Sequence, residues 1–481
     1  MKKRFNYYSY SGGTFLIMFF FFVFYILIAK KVDGLTDVHT HSKSNVIFSL
    51  ANEAQPALRV GMGKENITPD PALKNWVTGK PYEGIEDSIY VRAIVLQEGG
   101  IEVVMVTWDL TDAGESATEE VRKAIASKLK IPGKQILVNA SHNHSAPWSP
   151  VYKAGYRGKE SDTWWAIRYM PPQNEDPYFK KWMKLLIDQT VKAAQKAHNS
   201  LQPAELWIGR VDASKYMNNR RPREPKWGIA DANVPNGYNY KNKQYNPDVI
   251  VGGASFGPMD RTMVLLSFRD MKGNNIISIF HTAIHGVSIY PYSQAISGDW
   301  PEEASRQISQ SIGGEAVFFQ GAAGDINPWK RGREAVEEMG KGLAGLAKEA
   351  YQYSAKLSPG KLNVVQSKIW LPLSKLGKER TGLDSVSTEL QIISYGSLAF
   401  VALPGEPLTE LGTEIRENSP FPQTLVFGYS NGNGVHYASL PKEKKYGGYE
   451  VEIGTSGAEN AGKILVRQAV KLLEKAKDSQ N

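Results

Sequence analysis

The chain contains no cysteine among its 481 residues. Disulfide bonds and thiolate metal sites are therefore excluded, and any metal must be bound by histidine, carboxylate or tyrosine side chains. Stability has to come from a packed core, because no cross-link can supply it. The 42% of hydrophobic residues is sufficient for one large domain or two medium ones.

The formal net charge of +8 arises from 57 basic and 49 acidic residues distributed along the chain. The basic excess is largest at the two ends. Near the carboxyl end it alternates with acidic residues in a helical pattern typical of a solvated face. The sequence has no arginine-rich arm and no basic zinc-finger pattern, so we expect no nucleic-acid partner.

The amino terminus has the pattern of an export segment. Cationic residues 2–4 precede an apolar run of 16 residues at positions 14–29. This run is longer than most signal-peptide cores and short for a membrane span, and no small-x-small cleavage site follows it. We expect residues 1–31 to be an uncleaved signal-anchor, with a cleaved signal peptide as the alternative. The rest of the chain would lie outside the cytoplasm, anchored to the membrane or secreted.

Residues 32–56 are predicted to be a polar tether and residues 57–478 a single domain. Within that domain, strand patterns alternate with amphipathic helix patterns. A hairpin at 263–281, combined with strand–helix alternation, predicts an α/β fold of mixed β-sheets flanked by helices. Asp176-Pro177 has the pattern of a helix start. The predicted elements are strands at 101–107, 135–140, 263–268, 275–281, 316–320, 399–403 and 424–429, and a helix at 116–129.

Two histidines, His142 and His144, follow the predicted strand 135–140. If this segment is extended, alternate residues point the same way, so both imidazoles would face one site. The alternative is a pair of surface histidines in a polar loop. The position after an apolar strand, among serine and asparagine residues that would orient the rings, favours a metal site.

A second pair, His281 and His285, follows another predicted strand. Only one of the two needs to be a ligand, and we expect the other to be a core histidine with a hydrogen-bond partner. Glu406 lies in Pro404-Gly405-Glu406, where a strand leads through a tight turn to a helix. A carboxylate there would either reach a cleft or serve as a favourable charge at a helix start.

A third histidine motif, Asp37-Val38-His39-Thr40-His41, matches the DxHxH ligand pattern of metal-dependent amidohydrolase barrels. In such barrels the motif ends the first core strand, whereas here it lies in the predicted tether. We interpret the match as coincidental, with incidental metal affinity at most.

A series of short blocks runs in order between residues 59 and 450. The blocks are Val60-Gly61 with Ile67-Thr68-Pro69, then 90–93, 108–110, 141–145, 219–221, 284–288, 297–299, 320–328, 404–406, and Tyr437 with Tyr449. No single block is specific, but together and in this order they resemble those of the neutral (non-lysosomal) ceramidase family and indicate kinship. The resemblance implies a neutral-ceramidase-like catalytic domain that cleaves the amide bond of an N-acyl, ceramide-like lipid.

The resemblance also implies a zinc centre with a free position for water, whose pKa zinc lowers to about 7. His144 would be the nearby acid/base or oxyanion donor, and Arg220 and Tyr449 would stabilise the developing negative charge. The implied zinc ligands are His142, His285, Glu406 and Tyr437. Tyrosine is an uncommon zinc ligand, so the assignment of Tyr437 depends on the resemblance alone.

The sequence departs from the family pattern in two places. The family's hydroxyl residue before Asp299 is Gly298 here, so attack by that hydroxyl is impossible whereas attack by zinc-bound water is not. Many members continue into an immunoglobulin-like domain, but this chain ends about 30 residues after Tyr449, and we expect that domain to be absent. Both departures leave the natural substrate open.

Two alternatives remain. The first is a zinc hydrolase of the same fold that acts on a different amide or ester. The tryptophans would either line an apolar mouth or pack in the core, so they do not distinguish this alternative from a ceramide-like substrate; they are Trp148, Trp164 and Trp165. The second alternative is a non-catalytic surface protein that binds metal or lipid. The three implied catalytic residues argue against it, because a structural zinc would not need them.

Overall fold

The computed structural model of the chain describes residues 58–152, 176–224, 238–239, 244–245, 255–290 and 292–480. The predicted export segment, the tether, the DxHxH-like motif, Trp164 and Trp165 lie outside these residues. Within the described ranges, no helix combines the length and the apolar character needed to cross a membrane.

The first sheet contains five strands, and the three at residues 90–98, 101–108 and 136–140 are rich in β-branched residues, which suit a pleated, buried surface. They are β1 (Arg59–Asn66), β2 (Tyr90–Glu98), β3 (Ile101–Trp108), β4 (Ile136–Ala140) and β5 (Gln202–Pro203). The order is β4-β3-β2-β1-β5, and only the β3–β4 pair is parallel.

The second sheet also has five strands. They are β6 (Glu205–Asp212), β7 (Thr262–Arg269), β8 (Asn275–Thr282), β9 (Glu315–Gln320) and β10 (Ala355–Lys356). The order is β9-β8-β7-β6-β10, with β8–β9 as the parallel pair. The antiparallel β7–β8 pair confirms the predicted hairpin.

The third sheet has four strands in sequence order. They are β11 (Leu362–Pro372), β12 (Ser385–Tyr395), β13 (Leu398–Ala402) and β14 (Gln423–Phe427). Here β13 and β14 form the parallel pair.

Helices cover the outer faces of these sheets. They are α1 (Glu115–Leu129), α2 (Pro177–Asn199), α3 (Asp299–Ile312), α4 (Arg333–Gln352), α5 (Lys375–Thr381), α6 (Thr409–Glu417), α7 (Tyr449–Glu452) and α8 (Ala461–Asp478), with single 3-10 segments at Gly133–Gln135, Ser214–Tyr216 and Pro441–Tyr446. The helix start predicted at Asp176 is confirmed, because its carboxylate accepts the backbone N–H groups of Tyr178 and Phe179.

The core has an inner layer and three outer layers. α1 and α2 pack on the first sheet, α3 and α4 on the second, and α6 and α8 on the third. Residues from all three sheets, among them Met105, Phe319 and Phe427, share the inner core. The predicted fold class, mixed sheets flanked by helices, is confirmed.

The two strands of each parallel pair are connected by a crossover that contains one helix: β3–α1–β4, β8–α3–β9 and β13–α6–β14. Parallel strands place their carboxyl ends at the same edge of a sheet, and ligands commonly bind outside those ends. Two short β-ladders connect segments outside the sheets: Met217–Asn219 pairs with Ile326–Pro328, and Glu406–Pro407 pairs with Tyr437–Ala438. The remaining short ladders pair Pro222–Glu224 with Ser255–Phe256 and Tyr238–Asn239 with Gln244–Tyr245.

Candidate metal centre

Three of the four implied ligands follow carboxyl ends of the parallel strands. His142 follows β4, His285 follows β8, and Glu406 follows β13. Gly405, which precedes Glu406, has a φ of 68°. It packs so close to the backbone of His436 that an added Cβ would be 2.4 Å from the His436 carbonyl oxygen. Only glycine fits this turn, and the turn directs Glu406 inward.

Backbone carbonyl groups fix the orientation of both buried imidazoles. His142 Nδ1 lies 2.7 Å from the Thr111 carbonyl oxygen, and His285 Nδ1 lies 2.7 Å from that of Ala323. Each Nδ1 therefore carries a proton and donates it, so in the neutral ring Nε2 is the acceptor. This arrangement is typical of histidines whose Nε2 binds a metal.

The Glu406 carboxylate meets both Nε2 atoms. Its Oε2 lies 3.1 Å from His142 Nε2 and 3.3 Å from His285 Nε2. A tetrahedral zinc ion with bonds of about 2.0–2.1 Å separates its ligand atoms by about 3.3–3.4 Å. Three acceptor atoms at these separations repel one another unless a cation or proton lies among them, so the donor set fits a zinc ion.

Electrostatics keep these groups in the ligand form. Burial, with Arg220 and His142 close by, lowers the pKa of His285 to about 3, so its imidazole is neutral. Burial alone would raise the pKa of Glu406, but His142 and His436 face its carboxylate and hold that pKa well below its usual value. A neutral imidazole and an ionised carboxylate are the forms that bind metals.

Tyr437 lies beside Glu406 because the two residues are register partners in a parallel ladder. Its hydroxyl oxygen accepts a hydrogen bond from Arg220 Nη2 at 3.0 Å. Burial, reinforced by Glu406, raises the pKa of Tyr437 well above its usual value. The ring of Tyr449 packs edge-on against that of Tyr437, with 5.6 Å between centroids.

Arg220 is buried and fully engaged. Its Nε donates to Glu450 at 2.6 Å, Nη1 to Asn327 at 3.2 Å, and Nη2 to the Gly324 carbonyl oxygen as well as to Tyr437. Nη1 also lies 3.5 Å from His285 Nε2. The implied stabilisation of negative charge by Arg220 would therefore depend on its proximity and on Tyr437, because none of its N–H groups lacks a partner. Glu450, which sequence reasoning gave no role, holds it in place.

His144 completes a group of three histidines, each of which offers one ring nitrogen within 4.8 Å of the other two. Its Nε2 is 3.0 Å from His142 Nε2, and its ring lies near those of Trp76 and Tyr290. Burial, with His142 and His285, lowers the pKa of His144 well below its usual value. It is only partly buried, whereas His142 and His285 are almost completely buried, so this is the side on which the centre opens.

The expected extended conformation of the His142–His144 segment was wrong. His142 has a φ of 59° and turns the chain directly after β4. The two imidazoles nevertheless meet, at 4.6 Å between centroids, because the turn and not strand alternation brings them together.

His281 faces away from the centre, in accordance with the expectation of one core histidine. Its Nδ1 lies 3.0 Å from the Phe319 carbonyl oxygen, and its ring packs near Phe427. Trp148 is buried beside Trp76, so it belongs to the core, although its ring also lies 6.2 Å from that of His436.

Sequence reasoning missed two residues of the centre. Tyr429 stacks on His142 at 4.2 Å, and its hydroxyl donates to Glu406 Oε2 at 3.3 Å. His436 Nδ1 lies 3.3 Å from Glu406 Oε1. The available signal was a lone histidine directly before Tyr437; nothing local marked Tyr429.

Gly298 and Ser297 lie at the start of α3. A Cβ on Gly298 would be 2.4 Å from Glu302 Cβ, so a serine does not fit there. Ser297 Oγ donates to Asp87 Oδ2 at 2.5 Å and accepts the Asp299 N–H at 3.0 Å. Asp299 accepts from the backbone N–H groups of Ser288 and Ile289 and so braces the loop after His285.

Comparison with known proteins shows a family match. The model of the family described as neutral/alkaline non-lysosomal ceramidase, N-terminal, matches residues 58–342, more than half of the chain. Neutral ceramidase A of Dictyostelium discoideum is 29% identical over 172 residues, 32% of this chain and 20% of that protein. The neutral ceramidase of Pseudomonas aeruginosa is 25% identical over 284 residues, 56% of this chain and 37% of that protein. The matched segments thus span well under half the length of these relatives.

Solved structures show the same fold. The crystal structure of neutral ceramidase from Pseudomonas aeruginosa superposes with a TM-score of 0.69 at 18% identity, covering 88% of this chain and 75% of that one. A ceramidase complexed with C2 gives a TM-score of 0.67 at 17% identity, covering 88% and 76%.

Proposed function

The chain belongs to the neutral/alkaline non-lysosomal ceramidase family, as its motif blocks predicted, and from this premise we propose that it hydrolyses the amide bond of an N-acyl, ceramide-like lipid at a zinc centre. The observation that carries the proposal is the convergence of His142 Nε2 and His285 Nε2 within 3.3 Å of Glu406 Oε2 in a chain without cysteine.

His142, His285 and Glu406 would hold the metal, with Tyr437 as the fourth protein ligand. A bound zinc ion would polarise the substrate carbonyl group and lower the pKa of water to about 7. Zinc is preferred because nitrogen and oxygen donors at these separations suit its tetrahedral geometry, and the buried centre excludes most water.

We propose that His144 is the general acid/base. Its position at the open side of the centre, with a pKa well below the usual value, gives a neutral imidazole that can accept a proton from water and return it to the leaving amine. Positive charge on Arg220, relayed to the Tyr437 hydroxyl, would stabilise the tetrahedral oxyanion, and Tyr449 beside Tyr437 would add a further donor.

The aromatic rings at the open side support a lipid-like substrate. Trp76 lies 5.5 Å and Tyr290 5.3 Å from His144, measured between ring centroids, so apolar surface adjoins the reacting groups. Aromatic rings of this kind favour an apolar chain next to the scissile amide. A different amide or an ester is the second candidate, because the same three donors and His144 would serve either bond.

A substrate screen tests the proposal. The purified chain, in detergent, would be assayed against ceramides, N-acyl amino acids and simple esters, with and without a zinc chelator. We expect chelator-sensitive release of fatty acid from ceramide. Hydrolysis of esters or N-acyl amino acids alone would select the second candidate, and zinc binding without turnover of any substrate would indicate the non-catalytic alternative.

Export and membrane attachment remain part of the proposal. The cationic start and the apolar run at 14–29 would hold the chain at a membrane, with the catalytic domain outside the cytoplasm. Cell fractionation with protease protection tests this. A soluble cytoplasmic protein that retains Met1 would contradict it.

A further inference from the structure

Two side chains outside the implied ligand set contact the two oxygens of the Glu406 carboxylate separately. The Tyr429 hydroxyl donates to Oε2 at 3.3 Å, and His436 Nδ1 lies 3.3 Å from Oε1. The oxygen that faces His142 Nε2, at 3.1 Å, and His285 Nε2, at 3.3 Å, is Oε2. His436 lies at the other oxygen, Oε1, so the carboxylate is oriented with Oε2 toward the histidine pair.

Packing immobilises both residues. His436 is 7% and Tyr429 1% exposed. The Tyr429 ring stacks on His142 at 4.2 Å, while the His436 ring lies 4.9 Å from that of Tyr437 and 6.2 Å from that of Trp148. Each residue therefore touches an implied ligand with its ring and Glu406 with its polar atom.

The backbone at both residues is in an unusual conformation. Tyr429 has a φ of 52° and His436 a φ of 68°, in the left-handed region that bulky residues rarely occupy. Among the described residues only six non-glycine residues have positive φ, and His142 is another of them. Strained residues that cluster around one carboxylate indicate a functional constraint, because packing alone could be met by a relaxed loop.

We propose that Tyr429 and His436 are positioning residues that clamp Glu406, so that it binds the metal through Oε2 alone and keeps its orientation without the metal. The inference depends on the proposed zinc centre and deepens it. His436 is thus a fourth histidine of the centre, which acts through Glu406 and not as a ligand. Outer-sphere partners of this kind typically change metal affinity by about 10–100-fold.

Zinc affinity is the test, measured on the full chain in detergent by competition with a chromophoric chelator, alongside kcat and KM. The variants are Tyr429→Phe, which keeps the stacked ring, His436→Ala, and His436→Asn, which tolerates left-handed φ and retains an N–H donor. His198→Ala is the matched control, since His198 pairs with Glu102 at the surface.

We expect Tyr429→Phe and His436→Ala to bind zinc about 10–100-fold more weakly, with lower kcat and unchanged KM at saturating zinc, and His436→Asn to recover most of the affinity. The control should match the wild type. If His436→Ala fails to fold, the other two variants decide.

Affinities within about threefold of the wild type for Tyr429→Phe and His436→Ala would overturn the clamp while leaving the zinc centre intact. A His436→Ala protein that loses zinc as completely as His285→Ala would overturn it too, because His436 would then be a ligand. Absence of zinc binding by the wild type would instead reject the proposed function on which the inference depends.

Discussion

Two buried charged clusters lie on neighbouring parts of the fold and differ in how their charges are satisfied. In the first, Arg92 bonds Asp109 at 3.2 Å, Glu315 at 3.3 Å and Glu302, with Lys64 also bridging Glu302 and Glu315. Every carboxylate there faces a cation. In the metal centre, by contrast, neutral nitrogen acceptors and a carboxylate oxygen face one another.

This difference separates a structural cluster from a functional one. Burial of both partners of an ion pair is tolerated because each charge compensates the other. Converging acceptors do not compensate one another and are stable only around a cation or a shared proton. The Arg92 cluster should therefore control stability without affecting metal binding, and the centre should do the reverse.

The largest effect is expected from removing a ligand at the centre. His285→Ala should abolish both zinc binding and hydrolysis, because two remaining protein donors and a tyrosine cannot hold the ion tightly. Zinc per chain, measured by elemental analysis after gel filtration, and amide turnover would check this. The matched control is His281→Gln, four residues away and also buried, which should keep its zinc. Full zinc occupancy in His285→Ala would break the distinction between the clusters.

Arg92→Ala should lower the free energy of unfolding by about 3–5 kcal/mol, because it leaves the buried Asp109 without its cation and leaves Glu302 and Glu315 with Lys64 alone. Arg92 is 2% exposed, so water cannot replace it. Urea unfolding of the zinc-free protein would measure the loss, and zinc affinity of the folded fraction should not change. A variant of normal stability that has lost zinc would reverse the roles assigned to the two clusters.

His144→Ala tests the boundary of the centre. We expect the rate to fall on the order of 10²-fold or more, about 3 kcal/mol or more, as for loss of an acid/base group or an oxyanion donor, with zinc retained. Steady-state kinetics at saturating zinc and a parallel zinc assay would show this. Simultaneous loss of zinc and activity would make His144 a third histidine ligand, which the spacing of the three rings also permits.

His281 provides a pH-dependent contrast. Burial lowers its pKa to about 4, with Asp260 and Arg416 as the nearby charges, whereas in the unfolded chain the pKa is about 6.5. Its contribution to stability is therefore full above pH 6.5 and is lost as the pH falls toward 4. Between pH 7 and 5 the loss amounts to about 2 kcal/mol.

Urea unfolding of zinc-free wild type and His281→Gln at both pH values would measure this contribution. The stability of the wild type relative to the variant should fall by about 2 kcal/mol between pH 7 and 5. An equal pH dependence of the two proteins would show that His281 is protonated without penalty in the fold.

The sequence predicted most of the fold because its signals are local. The strand predicted at 101–107 is observed at Ile101–Trp108, and the Asp176 cap begins α2 as expected. Hydrophobic periodicity and capping depend on neighbouring residues, so they can be interpreted without knowledge of tertiary structure. How the three sheets would pack around a common inner core was not predictable in this way.

The proposed ligands were predictable where they closely follow a strand, as at His142, His285 and Glu406. Tyr429 was interpreted as the last residue of a strand, but β14 ends at Phe427 and the chain turns. A left-handed conformation at tyrosine has no local propensity signal, because tertiary contacts impose it. His436 was missed for the same reason. The ion pairs of Arg92 could not be predicted either, because they join residues that are distant in the sequence.

The smallest effect is expected at Ser297. Its hydroxyl already donates its only proton to Asp87 and accepts the Asp299 N–H, so the proton is not available to a general base that would activate the oxygen. Ser297→Ala should keep most of the rate and lose about 1 kcal/mol of stability from the missing hydrogen bonds. Gly298→Ser, which restores the family's hydroxyl, should not raise the rate, because its Cβ would collide with Glu302.

Kinetics of both variants, with mass spectrometry of protein quenched during turnover, would test this assignment. Ser297 is joined to the His144 loop through Asn143, whose side-chain amide donates to the Ser297 carbonyl oxygen at 2.5 Å. That contact uses the backbone, so it survives the alanine substitution and the loop should keep its position. An acyl adduct trapped on Ser297, or an inactive Ser297→Ala enzyme that retains its zinc, would make the hydroxyl the nucleophile and would extend the functional region from the centre to the start of α3.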